Sequence, residues 1–398
     1  MKREVVITGA GILSAAGASV GETWQALKEG RDGLRPFSLF PSARYAGIPA
    51  GQLQADLPAL SGLGGGSRSD HLAVAAARQA FSQSFPGGLP DPARAGVILG
   101  ACVGGMADSE VFLERLLRTG ARETELLHFH ECASSADAVA GTLGLYGPCE
   151  TISTACSSGQ NAICLAAELI LSGESDVMLA GGTDSLSRLT VNGFGSLLLM
   201  DPQGCRPFDE ERKGMSLGEG AAVLALESAG SAARRNARVL ARLSGWAATC
   251  DAHHAAAPSP EGEGIQRAMR GALAGAGLSP GDIQYISAHG TATPDNDRAE
   301  AAAIKAVFGE QTPPVSSIKR AFGHTFAAAG AIETLACVLA LQHQAVPPNA
   351  GLNRQDPACP VKIQRDFAAC KLSNVMSLSL GFGGNNNCLI LSAAGQAQ

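Results

Sequence analysis

The sequence predicts an α/β protein built from two duplicated halves, and three observations carry that expectation. Short β-branched runs alternate with Ala- and Leu-rich stretches of helical length along all 398 residues, the pattern of buried strands covered by helices. Two distant segments share one plan: "ETISTACSSGQNAICLAAELILSG" and "VSSIKRAFGHTFAAAGAIETLACVLAL" each run from a strand through a small-residue turn into a helix. Between them, "DAHHAAAPSPEGEG" (251–264) is the clearest loop, marked by Pro258, Pro260 and its glycines. It divides the chain into halves 1–250 and 251–398.

Taken in order, a buried strand is expected at 5–8, and the "GAGILSAAG" after it reads as a tight strand–helix turn. A helix over 69–82, a strand at 96–99 and a helix over 108–118 follow. The strand at 151–153 enters the first echo segment, whose helix over 159–172 puts Ile163, Ala166 and Ile170 on one face. Strands at 177–179, 222–226 and 239–243 complete the first half. In the second, helices over 263–276, 298–308 and 326–343 alternate with strands at 283–287 and 315–318; the last helix carries Ile332, Leu335 and Leu339. Strands at 375–380 and 388–391 close the chain.

Composition removes several classes of function. Hydrophobic residues make up 45% and charged residues 17%, the balance of a compact chain rather than a disordered one. Aromatics are scarce and glycines number 49, so close backbone packing is expected. A net charge of −6 and a pI near 5.8 give no basic footprint for nucleic acid or an anionic membrane. The 11 cysteines include no C-x-x-C, and most read as buried thiols of a cytoplasmic protein. The N-terminus mimics a signal peptide, but Glu4, Gly9 and Gly11 interrupt the pattern. No run is read as reaching the ~18 apolar residues of a membrane helix.

Some motifs look chemical and have plainer readings. "TGAGILSAAG" offers a G-x-G after a strand, but Ser14 stands at the third glycine position of a dinucleotide fingerprint, and no acidic residue ends a second strand about 20 residues on. "PDNDRAE" places Asp295, Asp297 and Glu300 like a calcium loop, without the glycine or the length such a loop needs. "HFHEC" gathers His128, His130, Glu131 and Cys132. In a strand the two imidazoles would share a face, yet no second ligand cluster has recognisable spacing, so a polar wall segment is expected and no metal site.

Cys156 is different. At the first turn of a helix a thiol meets oriented N–H groups and the positive end of the dipole, which favour the thiolate. Its neighbours Thr154, Ala155, Ser157, Ser158 and Gly159 leave room for a substrate. A lone cysteine is more often a small buried apolar residue; two histidine motifs shift that reading. "ISAHGTATPDND" carries His289 at a strand end, with Thr291 and Thr293 in the following loop. "KRAFGHTFAAAG" carries Lys319 and His324 ahead of a small-residue helix. One thiol and two imidazoles in Gly-framed turns fit a site at the carboxyl ends of the strands. "SLGFGGNNNCL" sets Phe382 in a glycine turn where backbone can approach a ligand.

These motifs, in this order, resemble the β-ketoacyl-acyl-carrier-protein synthases, elongating condensing enzymes of the thiolase superfamily. The resemblance runs from "VVITGAGILSAAG" to "GFGGNNNCLI" and includes "TACSSG", "DVMLAGGTDS", "RPFDEERKGMSLGEGA", "HGTATPDNDRAE" and "KRAFGHTFAAAG". It implies a five-layered α-β-α-β-α fold and a homodimer, or a heterodimer with a related subunit. It implies a decarboxylative Claisen condensation between an acyl group on Cys156 and malonyl-acyl-carrier protein. Cys156 would be the nucleophile, His289 and His324 the paired catalytic histidines, and Lys319 and Glu300 supporting groups that hold the charged site together. The Cys156 and Phe382 N–H groups would form the oxyanion hole. Phe194 and Phe382 would stand near the thiol, Phe382 as a gate to the acyl pocket, and Thr291 and Thr293 would touch the pantetheine arm. The resemblance implies no resident cofactor, since 4'-phosphopantetheine arrives on the carrier protein.

Departures from the family pattern suggest a specialised role. Ala255 and Ala256 stand where relatives carry a Met-Thr-like pair, "GGNNN" replaces GGTNG, and "HFHEC" replaces a more apolar segment that walls the acyl pocket. Polyene or polyketide assembly is expected rather than housekeeping fatty-acid synthesis. A non-catalytic chain-length partner subunit would lack the thiol that this chain keeps. A degradative thiolase needs a second catalytic cysteine, for which Cys388 lies too deep in the final strand. A carrier-binding scaffold would take no covalent acyl group.

Overall fold

The computed structural model describes residues 4–42, 44–53, 57, 65–89 and 91–395; the basic start at 1–3 lies outside them. All ten expected strands join one sheet. They are β1 (Val5–Ser14), β2 (Ala95–Gly100), β3 (Cys149–Ile152), β4 (Val177–Asp184), β5 (Gly220–Ser228), β6 (Ala241–Cys250), β7 (Tyr285–Ser287), β8 (Val315–Ser316), β9 (Asn374–Gly381) and β10 (Asn385–Ala393). Their order across the sheet is β8-β7-β9-β10-β6-β1-β5-β4-β2-β3. The seam between the two sets of five is short: β1 meets β6 only through Val5↔Leu243, Val6↔Arg242 and Ile7↔Ala241. Otherwise β6 runs antiparallel to β10, from Asn385↔Cys250 to Ala393↔Ala241. Strand β6 therefore pairs with the second set, although the division expected at 250 follows it.

Alternation along the strands builds the layers, because successive side chains face opposite ways. Val97, Leu99, Leu179 and Val223 pack with Leu72, Ala76 and Val139 of outer helices. The opposite faces, through Ile98, Met178 and Leu224, pack on Ile163, Ile170, Ile332 and Leu335, which also meet Val375, Leu389 and Leu391. Met376, Leu378 and Ile390 point outward again, onto Ile265, Met269 and Ile304. Helices, strands, helices, strands, helices: the expected five layers are present. The central layer holds Ser158–Ser172 and Ala329–His343, the helices of the two echo segments.

Local expectations failed in instructive places. Strand β1 continues through the glycines read as a turn. A Cβ at Gly9 would lie 2.2 Å from Ala80 O and one at Gly11 2.0 Å from Ala76 O, so the glycines admit the backbone of helix Arg68–Ser84. "PDNDRAE", read as no calcium loop, opens the helix Pro294–Phe308 four residues before the start expected at 298, with proline in its first turn and Asp295 and Asp297 complementing the dipole. The stretch Phe326–His343 has a mean hydropathy of 1.4 over 18 residues, long and apolar enough to cross a membrane, contrary to the sequence reading. It is 89% buried and forms the core of the central layer.

Candidate active site

Cys156 lies in the turn between β3 and the helix Ser158–Ser172. Ala155 adopts a left-handed φ of 54°, uncommon for a residue with a Cβ, and side chains hold it there. Ser157 Oγ donates to the Thr154 carbonyl at 2.9 Å. Ser158 Oγ accepts from Thr154 N at 2.8 Å and donates to the Ala155 carbonyl. The glycine that follows has a packing reason: a Cβ on Gly159 would stand 2.6 Å from Ala327 O. Only glycine lets the helix start lie against the segment after His324.

His289 follows β7, and His324 follows the short helix Lys319–Phe322. Both are 1% exposed, and their rings meet edge to face with centroids 5.4 Å apart. The Cys156 sulfur joins them, so that one donor atom from each residue lies within 4.8 Å of the others. The Phe382 N–H hydrogen-bonds to the Cys156 thiol. Among the described residues this is the sole such grouping of three His, Cys, Asp or Glu side chains. The Lys319 ammonium beside His289 adds positive charge that disfavours a divalent cation there.

Each imidazole is engaged through Nδ1. Lys319 Nζ donates to His289 Nδ1 at 3.2 Å and to the His289 carbonyl. Phe326 N donates to His324 Nδ1 at 3.1 Å. A neutral imidazole whose Nδ1 accepts carries its proton on Nε2. Burial, reinforced by the Lys319 charge, holds both rings well below the ordinary histidine range, so both are neutral N–H donors near pH 7.

The carboxylate that pairs with Lys319 is Glu333, which the sequence reading missed. Glu300 instead accepts the backbone N–H groups of His289 at 2.6 Å and Gly290 at 2.8 Å. It fixes the histidine loop rather than closing the charged pair. Burial pushes Glu300 up to about 8 and Glu333 up to about 7, against the pull of Lys319. A lone acid inside the apolar run "AAAGAIETLACVLAL" was the available signal for Glu333. Asp184 was also missed. It is fully buried and accepts from Cys102 N at 3.0 Å, Val103 N at 2.8 Å and Ala327 N at 2.8 Å.

The thiol departs from expectation. Burial pushes Cys156 up to about 11, and the Lys319 charge and Phe382 N–H offset only part of that. Burial disfavours the charged sulfur by stripping its hydration, and the Glu333 and Asp184 charges push the same way.

A cavity of about 250 Å³ opens onto this cluster, lined by Cys156, His289, His324, Thr291, Thr293 and Phe382 among others. The Thr291 and Thr293 hydroxyls hydrogen-bond each other at 2.9 Å. Phe194 stacks behind Phe382 with centroids 5.5 Å apart and also meets Phe326, itself stacked on His324. The "HFHEC" segment lies elsewhere, in a turn rather than a strand, with His130 Nδ1 2.7 Å from Ser109 Oγ.

Known proteins of similar sequence and fold identify the family. Residues 65–232 match the family described as Beta-ketoacyl synthase, N-terminal domain, and residues 240–353 its C-terminal domain. The 3-oxoacyl-[acyl-carrier-protein] synthase 2 of Coxiella burnetii (strain RSA 493 / Nine Mile phase I) is 36% identical over 98% of this chain and 99% of its own. The structure titled "The ishigamide ketosynthase/chain length factor" superposes with a TM-score of 0.94 at 33% identity, covering 99% of this chain and 100% of that one. A type II PKS acyl-carrier protein in complex with its ketosynthase bound to the hexaketide gives 0.91 at 30% identity, covering 99% and 100%. With a thiol, two neutral imidazoles and a duplicated five-layered fold already in place, the chain belongs to the β-ketoacyl synthase family, condensing enzymes of the acyltransferase class.

Proposed function

We propose that the chain catalyses decarboxylative condensation of an acyl group held on Cys156 with malonyl-acyl-carrier protein, residues 1–250 supplying the nucleophile and 251–398 both histidines. The observation that carries this reading is the pair of Nε2–H donors beside the sulfur. In the first step Cys156 attacks an acyl thioester on the carrier arm. The S–acyl bond to the arm breaks, and the thiol proton passes to the departing pantetheine thiolate. In the second step malonyl thioester loses CO2, and its C–C bonding pair becomes an enolate whose oxygen accepts from His289 and His324. The enolate carbon then attacks the acyl-cysteine carbonyl, whose oxyanion accepts from the Cys156 and Phe382 N–H groups until the Cys156 sulfur leaves as thiolate and takes up a proton from solvent. Such a donor is worth about 3–4 kcal/mol in other enzymes. Lys319, Glu333 and Glu300 act by holding His289, and Thr291 and Thr293 by meeting the pantetheine arm.

The carrier-borne 4'-phosphopantetheine is substrate, and the chain needs no cofactor of its own in this scheme. We assign it a homodimer or a heterodimer with a related subunit, a cytoplasmic location, and a polyene- or polyketide-type pathway. The relatives with chain length factor and hexaketide partners support that pathway. Intact-mass measurement after mixing with acyl-carrier protein tests the reading: one acyl group on the parent chain and none on Cys156→Ala is expected. An acyl adduct that survives in Cys156→Ala, or no adduct on the parent, would refute it.

A further inference from the structure

Resting on that reading and deepening it, we propose that Asn387 and Asn161 are positioning residues that set the distance between the two oxyanion donors. Those donors belong to different segments. The Cys156 N–H precedes the helix Ser158–Ser172, and the Phe382 N–H lies in the turn between β9 and β10. Side-chain hydrogen bonds from the β9–β10 hairpin tie the two segments together. Ser377 and Ser379 share one face of β9, and Asn387 pairs directly with Ser379 across the hairpin, so all three side chains point the same way. Ser379 Oγ donates to the Cys156 carbonyl at 3.1 Å. Ser377 Oγ accepts from Gln160 Nε2 at 2.7 Å. Asn387 Nδ2 donates to Asn161 Oδ1 at 2.6 Å, and Asn161 Nδ2 donates to Thr154 Oγ1 at 2.8 Å.

The last two bonds form a chain from the final strand to the residue two before the nucleophile. Asn387 is fully buried and shares its strand face with Leu389 and Leu391, which pack in the central core. A buried amide in that row is costly unless paired, and Asn161 pairs it. The remaining asparagines of "GGNNN" brace the turn that carries the other donor. Asn385 Nδ2 donates to the Phe382 carbonyl at 2.8 Å, and Asn386 Nδ2 to the Gly384 carbonyl at 3.0 Å. The fit between the segments is tight, since a Cβ on Gly381 would lie 3.2 Å from Cys156 N.

The test is steady-state condensation by Asn161→Ala, Asn387→Ala and the double variant, each normalised to folded enzyme. Each single change is expected to lower kcat about 10-fold, a fraction of the ~10²-fold that a 1 Å misplacement costs. The KM for malonyl-acyl-carrier protein should stay within about twofold, because neither residue lines the cavity. The double variant should be no slower than the worse single, since one chain is broken once. Asn161→Ala sits in a helix that alanine favours, so it decides the matter if Asn387→Ala does not fold. Parent-like kcat in Asn161→Ala, a raised KM with kcat unchanged, or multiplying losses in the double variant would overturn the positioning role. A parent chain that condenses nothing would overturn the functional reading and this inference with it.

Discussion

Replacing Lys319 by Met separates what the buried ammonium does for stability from what it does for chemistry. Lys319 and Glu333 are each 2% exposed, so removing one partner strands a buried carboxylate, at a cost of about 3–5 kcal/mol. An unfolding entropy near 2.1 cal/mol/K per residue over 398 residues turns this into a Tm lower by about 4–6 °C. The loss should deepen with pH. Burial raises the folded Glu333 to about 7 even with Lys319 present. A carboxyl raised in the folded state contributes stability below its unfolded value and loses it as pH rises through the folded one. Condensation should fall by ~10²-fold, the lower range for a positioned donor, because His289 Nδ1 loses the hydrogen bond that keeps the proton on Nε2. Adding Glu333→Leu removes the stranded charge and should restore the stability to within about 1 kcal/mol of parent, or about 1 °C in Tm. Differential scanning fluorimetry and a carrier-protein condensation assay read the two effects. A double variant that regained condensation along with stability would show that the ammonium does not prepare His289.

Other expectations follow from the same geometry. His289→Ala or His324→Ala should lower condensation by ~10²–10⁴-fold, and near-normal turnover in either would reject the paired-donor assignment. Alkylation of Cys156 by iodoacetamide should climb about tenfold per pH unit between 7 and 9, because only the thiolate reacts and the thiol lies near 11; a rate already level at pH 7 would contradict burial as the dominant influence. Thr291→Val and Thr293→Val should raise the KM for carrier-borne substrates about 5- to 150-fold with kcat nearly intact, given the roughly 1–3 kcal/mol at stake when a buried polar partner is removed. In a panel of acyl-carrier substrates, unsaturated or polyketide chains should be extended faster than saturated medium and long chains, and equal rates would end the specialised-pathway reading.

What the linear sequence determined was whatever depends on neighbours along the chain. Short β-branched runs marked a part of each of the ten strands of the sheet, because most of these strands are buried on both faces. Small-residue turns around Cys156, His289 and His324 were equally legible, since such turns need particular local backbones. Tertiary structure decided the rest, because those outcomes depend on groups far apart in sequence. Gly9 and Gly11 look like breakers until helix Arg68–Ser84 is seen to need their missing side chains. Glu333 becomes the partner of Lys319, and Glu300 the clamp on the His289 loop, only when the helices carrying them dock. The Cys156 thiol stands near a helix start, yet the packing that buries it sets its acidity. Desolvation is a property of the folded surroundings, and no stretch of neighbouring residues encodes it.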